Sequence, residues 1–248
     1  EISACLVGSE MCIRDRFKNV ALKYNGAGDT SIAGVNFKAY RGQTIGIIGG
    51  TGSGKSSLVG LIPRFYDATS GEVLINGTNV KDINIEQLRD KVGIVMQKAV
   101  LFKGSIRKNI QMAKADATDK EIDNALAIAQ AKEFVDKKKG RLDYMIEQGG
   151  KNLSGGQRQR VGVARAFAAD PEIILMDEPF SALDPVTRNE LQDEVFKLQK
   201  RFNKTIIFVT HDMDEAIRLA DRICIIQEGH IVQCDTPENI LKHPANTY

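Results

Sequence analysis

Long apolar runs are missing from this sequence. Segments such as 173–176 and 206–209 stay far below the ~20 residues that span a bilayer, so the chain is not expected to cross a membrane by itself. Cysteine is scarce too. Cys5, Cys12, Cys224 and Cys234 form no CxxC pair, which removes the spacing of zinc and dithiol redox sites and leaves reduced thiols of a cytosolic protein as the expectation. Nor does one charge dominate: 34 Lys plus Arg against 32 Asp plus Glu give a formal net charge of +2. No global field draws such a chain to nucleic acid or anionic lipid, so an anion site must be built locally and no nucleic-acid partner is expected. What is present is a globular composition, 42% hydrophobic and 27% charged over 248 residues. That suffices to bury a full core and excludes a disordered, collagen-like or disulfide-stapled chain.

Residues 1–16 alternate poorly and lack both the apolar centre and the cleavage site of a signal peptide. They are expected to be a disordered or artefactual tail, and residues 5–15 resemble translated sequencing-adapter readthrough. From Phe17 onward, short β-rich runs alternate with helical stretches, the pattern of a largely parallel sheet covered by helices. The spacing predicts strands at 17–22, 35–39 and 72–75, the last followed by the hairpin turn Asn76-Gly77, and these would form an antiparallel flank. Apolar runs at 44–48, 92–95, 173–176, 205–209 and 223–226 read as buried central strands. Between 105 and 169 the pattern turns helical, which predicts an inserted helical subdomain. Its Lys137-Lys138-Lys139 run reads as a solvated helix end.

The strongest chemical signal is Gly49-Gly50-Thr51-Gly52-Ser53-Gly54-Lys55-Ser56, a G-x-x-x-x-G-K-S sequence between the strand at 44–48 and an apolar helix at 57–62. Glycines let successive backbone N–H groups curl round phosphate oxygens, the helix N-terminus adds positive partial charge, and Lys55 adds a full one. Ser56 places a hydroxyl where Mg²⁺ would sit. The strand at 173–176 runs into Asp177 and Glu178. Beside a phosphate loop, Asp177 is expected to orient the metal shell and Glu178 to polarise water for in-line attack on a γ-phosphate. A third motif, Leu153-Ser154-Gly155-Gly156-Gln157, opens a helix, and taken alone it is an ordinary Ser-capped start.

Together the three motifs resemble the ATP-binding cassette (ABC) family, whose signature is LSGGQ, and the resemblance covers Phe17 to the C-terminus. It implies an α/β fold, a P-loop NTPase (RecA-like) core at 17–98 and 170–248 with an antiparallel β flank and an inserted α-helical signature subdomain at 99–169. ATP and Mg²⁺ are the implied ligands. Tyr24 matches the aromatic that stacks on adenine, although Asn25 stands where the family often has proline. Gly49 to Ser56 and Ser57 match the nucleotide-binding loop, and Gln97 the glutamine that reaches the metal and the attacking water. Asp184, in Ser181-Ala182-Leu183-Asp184, matches the loop linking the two sites of a dimer. His211 matches the histidine that contacts the γ-phosphate, whereas His230 and His243 match nothing. The implied catalytic set is Glu178, His211, Gln97 and Lys55, and the metal set is Ser56, Gln97 and Asp177. Ser154, Gly155, Gly156, Gln157 and Asp184 complete the implied nucleotide-binding set, and the resemblance implies a head-to-tail dimer in which Ser154 and Gly156 of one copy complete the site of the other.

Two kinds of transporter are represented. Residues 17 to about 153, including Ile62-Pro63-Arg64-Phe65-Tyr66-Asp67, resemble multidrug or lipid exporters, which are normally fused behind a membrane domain that is not seen before Phe17. Residues from about 162 onward, including Thr210-His211-Asp212-Met213-Asp214-Glu215-Ala216, resemble importer ATPases for osmoprotectants or quaternary amines. A hybrid origin of the two parts accounts for this split. The expectation is an ATPase subunit at the inner face of the cell membrane, working on separate transmembrane permease subunits. An exporter fragment, an ABC ATPase that moves no solute and a module that binds ATP without hydrolysing it are the alternatives.

Overall fold

Where apolar residues run without interruption, the chain forms strands buried on both faces, as a computed structural model of the protein shows. The structure describes residues 13–26 and 30–245. It divides into two compact units, one of residues up to 89 and from 202, the other of residues 90–201.

In the first unit, strand β1 (Ile13–Leu22) lies between β2 (Ile32–Tyr40) and β4 (Ser70–Ile75), antiparallel to both. This is the expected flank. Its core includes Phe17 and Phe37, stacked with ring centroids 4.4 Å apart and almost fully buried. Asn76 (φ 50°) and Gly77 (φ 79°) make the tight turn from β4 to β5 (Thr78–Asn79), a backbone that an Asn-Gly pair adopts readily. Strand β1 starts at Ile13 rather than Phe17, a correction to the expected tail. Backbone pairing of Ile13 with Tyr40 and of Asp15 with Ile75 extends it where side-chain alternation gave no sign. The remainder of that segment, residues 1–12, lies outside the described residues.

The same unit holds β3 (Thr44–Ile48), β10 (Thr205–Thr210), β11 (Arg222–Gln227) and β12 (His230–Asp235), in the order β12-β11-β3-β10. Every residue of β3 and β10 is buried, as parallel strands covered on both faces require. At Gly46 a Cβ would come 3.3 Å from both Ala216 and Ala220, so glycine lets α8 (Met213–Leu219) and the residue after it lie close to β3. Strand β12 is antiparallel and was not expected from the sequence. Its register sets Cys234 directly opposite Cys224, with Cα atoms 4.1 Å apart, and the two are joined in a disulfide. This corrects the expectation of reduced thiols for that pair. Cross-strand register brings together two residues that a search for CxxC spacing does not connect.

In the second unit β6 (Val92–Val95) runs parallel to β9 (Ile173–Asp177), with Val92 opposite Ile173 and Val95 opposite Met176. Helices α3 (Ile106–Gln111) and α4 (Asp119–Ile128) both pack on α6 (Gly155–Ala168), and Ile106, Ile110, Ile122, Leu126, Val161 and Ala164 are buried. Ion pairs tie the exposed side of this bundle, Arg107 to Asp119 and Asp143, Arg141 to Asp123 and Asp136. Pairs this open to solvent contribute little each. Among the described residues, no helix is long and apolar enough to cross a membrane.

Candidate functional site

Strand β3 ends at Ile48, and the chain then folds back on itself before α1 (Lys55–Gly60) begins. Two glycines make that path possible. A Cβ on Gly49 would lie 2.3 Å from the Ile226 carbonyl oxygen, and Gly54 (φ 100°) has a left-handed backbone with the Ser31 oxygen 2.6 Å from where its Cβ would be. The Gly229 amide donates to the Ser53 carbonyl at 3.0 Å, so the β11–β12 turn braces the loop from behind. Lys55 is 9% exposed, and its ammonium donates to the carbonyls of Gly49 and Gly50, both at 2.8 Å, and so lies over the loop. The Ser53 hydroxyl is buried and has no hydrogen-bond partner among the described residues. An orphaned donor costs about 1–3 kcal/mol, and a hydroxyl left so in a glycine cradle beside an ammonium suits an arriving anion. Thr51, Gly52 and Ser56 are exposed at the rim.

Other expected residues of this unit gather near the loop. Tyr24 donates its phenol hydrogen to the Ser57 hydroxyl at 2.9 Å and meets the Tyr66 ring edge to face at 4.9 Å, which anchors an aromatic face beside the start of α1. His211 follows β10 directly. Because Thr210 pairs with Ile48 in parallel register, His211 and Gly49 leave neighbouring strands at the same level.

The second unit carries the acids. Asp177 closes β9, and Glu178 follows with φ 45°, a left-handed conformation that costs a non-glycine residue about 1–3 kcal/mol and tends to persist where function holds it. The Gln97 side-chain amide donates to Glu178 Oε2 at 2.8 Å. Both residues lie two positions beyond the paired Val95 and Met176, so parallel register delivers them to the same strand ends. Ser154 caps α6: its hydroxyl accepts from the Gln157 amide at 3.2 Å, and Gln157 Oε1 accepts from the Ser154 amide at 3.1 Å. Ser154 and Gly155 are exposed. A Cβ on Gly156 would touch Leu183 at 3.4 Å, so the signature lies against the 181–184 loop. Asp184 accepts from the Thr187 amide at 3.0 Å at the start of α7 (Pro185–Phe202), a bond that holds its carboxyl below the usual carboxylate range.

Three supports were missed by sequence reasoning. Gly229 behind the loop follows Glu228, and Glu-Gly after an apolar run is the turn signal that would have found it. Gln159 and Arg165 on α6 bond to loop carbonyls at Met96 and Val100, and only the polarity of Gln159 amid an apolar helix face hints at that.

These elements define a phosphate-loop α/β protein. The ABC transporter family model matches residues 32–181, and the chain belongs to that family. It is 43% identical over 232 residues to the choline transport ATP-binding protein OpuBA of Bacillus subtilis (strain 168), covering 93% of this chain and 60% of that protein. It is also 41% identical over 215 residues to ABC transporter B family member 21 of Arabidopsis thaliana, covering 87% of this chain and 16% of that protein. Among solved structures, a bacterial Atm1-family ABC exporter with ATP bound superposes with a TM-score of 0.87 at 29% identity, over 93% of this chain and 40% of that one. The chain thus spans less than two thirds of the length of each of these relatives.

Proposed function

We propose that this chain binds and hydrolyses ATP as the energy-supplying part of an ABC transporter. The observation that carries the reading is the loop at Gly49–Ser56, with its glycine cradle, overlying ammonium and orphaned hydroxyl. Lys55, Ser53 and the loop amides hold the triphosphate, and Tyr24 offers its ring to adenine. Glu178 accepts the proton of the attacking water, Gln97 orients that water, and His211 donates to the γ-phosphate. Ser56, Asp177 and Gln97 present the hard oxygen donors that Mg²⁺ takes, and the ion supplies neutralisation of charge developing on the phosphoryl group.

A second copy supplies Ser154 and Gly156 to each nucleotide, with Gly155 and Gln157 beside them in the signature and Asp184 in the loop that links the two sites. Transmembrane permease subunits receive the work at the inner face of the cell membrane, and residues 99–169 act as the helical signature subdomain. Relatives whose names specify choline, glycine betaine, carnitine and trimethylamine N-oxide transport favour import of a quaternary amine or similar osmoprotectant. The likeness of the fold to an exporter, and 38% identity to a putative multidrug export protein of Bacillus subtilis, favour the second reading, an exporter ATPase.

Phosphate release from Mg-ATP by the full chain tests the reading. The wild type should turn over, while Lys55→Ala and Glu178→Gln each lose about a hundredfold or more, as loss of a group that stabilises the transition state does. Equal rates in all three proteins, or none in the wild type at saturating ATP, would contradict it.

A further inference from the structure

We propose that Gln159 is a positioning residue that fixes the Gln97 loop to the signature helix and thereby sets the Gln97–Glu178 contact. This rests on the reading that Gln97 and Glu178 serve ATP hydrolysis. After Val95 the chain leaves β6 and runs outward, with Met96 48% and Val100 58% exposed. Three residues of α6 hold this segment, each three positions from the next. The Gln159 side-chain amide, on a residue only 2% exposed, donates to the Met96 carbonyl at 3.1 Å. At Gly162 a Cβ would come within 2.8 Å of the Ala99 Cβ, so the loop lies directly on the helix there. Arg165 donates to the Val100 carbonyl at 3.0 Å.

The anchored carbonyl belongs to the residue just before Gln97, whose side chain reaches Glu178 at 2.8 Å. A continuous path of bonds therefore runs from α6 through the Met96 backbone and the Gln97 side chain to Glu178. Five residues, about 7.5 Å of helix, separate Gln159 from the capped start at Ser154. Helix α6 is otherwise apolar where it faces inward, with Val161, Val163, Ala164 and Ala166 buried. A buried glutamine in that company costs stability unless it is bonded. Its bond goes to the single backbone group that governs where Gln97 starts.

Gln159→Met keeps the length and removes the donor, and Arg165→Met removes the outer anchor from a less buried position. In nucleotide-free full chain, hydrogen exchange at residues 97–100 should accelerate about tenfold in Gln159→Met, with β9 unchanged. The kcat for ATP should fall about tenfold while KM stays within about twofold, because positioning rather than binding is lost. Arg165→Met should move both readouts the same way by less. In a Gln97→Ala background Gln159→Met should lower kcat no further, since the group it positions is gone. Unchanged exchange and kcat in both variants would overturn the proposal, and so would a Gln159→Met effect that multiplies with Gln97→Ala. If the wild type releases no phosphate, the ATPase reading fails, and the exchange experiment alone decides whether Gln159 holds the loop.

Discussion

At the scale of single residues, the phosphate loop is costly to keep in its present form. Ser53 buries a hydroxyl without a partner, and Lys55 spends its hydrogens on two carbonyls of the loop. Both features place polar groups where a triphosphate would meet them. Removing the orphaned hydroxyl should therefore leave the nucleotide-free protein as stable as before or more so, while reducing the stabilisation that Mg-ATP adds. Thermal midpoints of Ser53→Ala and wild type, each with and without Mg-ATP, measure this. A variant that melts several degrees lower without nucleotide, yet gains as much from ATP as the wild type, would show the hydroxyl to be structural. Glu178 shows a similar trade: its left-handed backbone is strained, and the Gln97 amide and the Ser181 hydroxyl, the latter donating to its carbonyl at 3.0 Å, help to hold it.

At the scale of elements, legibility followed burial. The apolar runs at 44–48 and 92–95 became β3 and β6 with the same boundaries, because a strand buried on both faces writes itself as an uninterrupted run. Strand β12 was invisible: His230, Ile231, Val232, Gln233, Cys234 and Asp235 are all at least partly exposed, and backbone pairing to β11 rather than a hydrophobic pattern defines it. The bond from Gln159 to Met96 was invisible for a related reason, since a side-chain bond to a distant carbonyl depends on tertiary packing. The helix starts were better marked. Ser154 and Thr118 both open capping boxes, and at α4 the Glu121 carboxylate also accepts from Lys114. Chiefly through that Lys114 bond, and then through the Thr118 amide, the carboxyl is held down to about 2 from an ordinary 4.5. Its contribution to stability is therefore complete above about pH 4.5 and is lost as pH falls towards 2. The difference in urea midpoint between wild type and Glu121→Gln should be constant near neutrality and close across that window. A difference that does not change with pH would mean that the cap acts without its charge.

At the scale of the whole molecule, the motifs read from the sequence and the family found by comparison agree, and the chain carries likeness both to a choline transport ATP-binding protein and to a putative multidrug export protein. The phosphate-transfer chemistry we propose is shared by both kinds of relative, so its motifs were legible; the choice of a solute is not written in those motifs, so it was not. The central claim is that each nucleotide is completed by the signature of a second copy, in which Ser154 and Gly155 stand exposed at a helix start and Gly156 and Gln157 are half-buried. Glu178→Gln removes the carboxylate that we propose accepts the water's proton, while leaving the phosphate loop and the signature intact. Its mass in solution with saturating Mg-ATP, measured by light scattering during gel filtration, is the most direct test. A dimer that forms only with ATP and is abolished by a further Ser154→Arg substitution is the expected result. Glu178→Gln that binds ATP fully and yet elutes as a monomer would contradict the account.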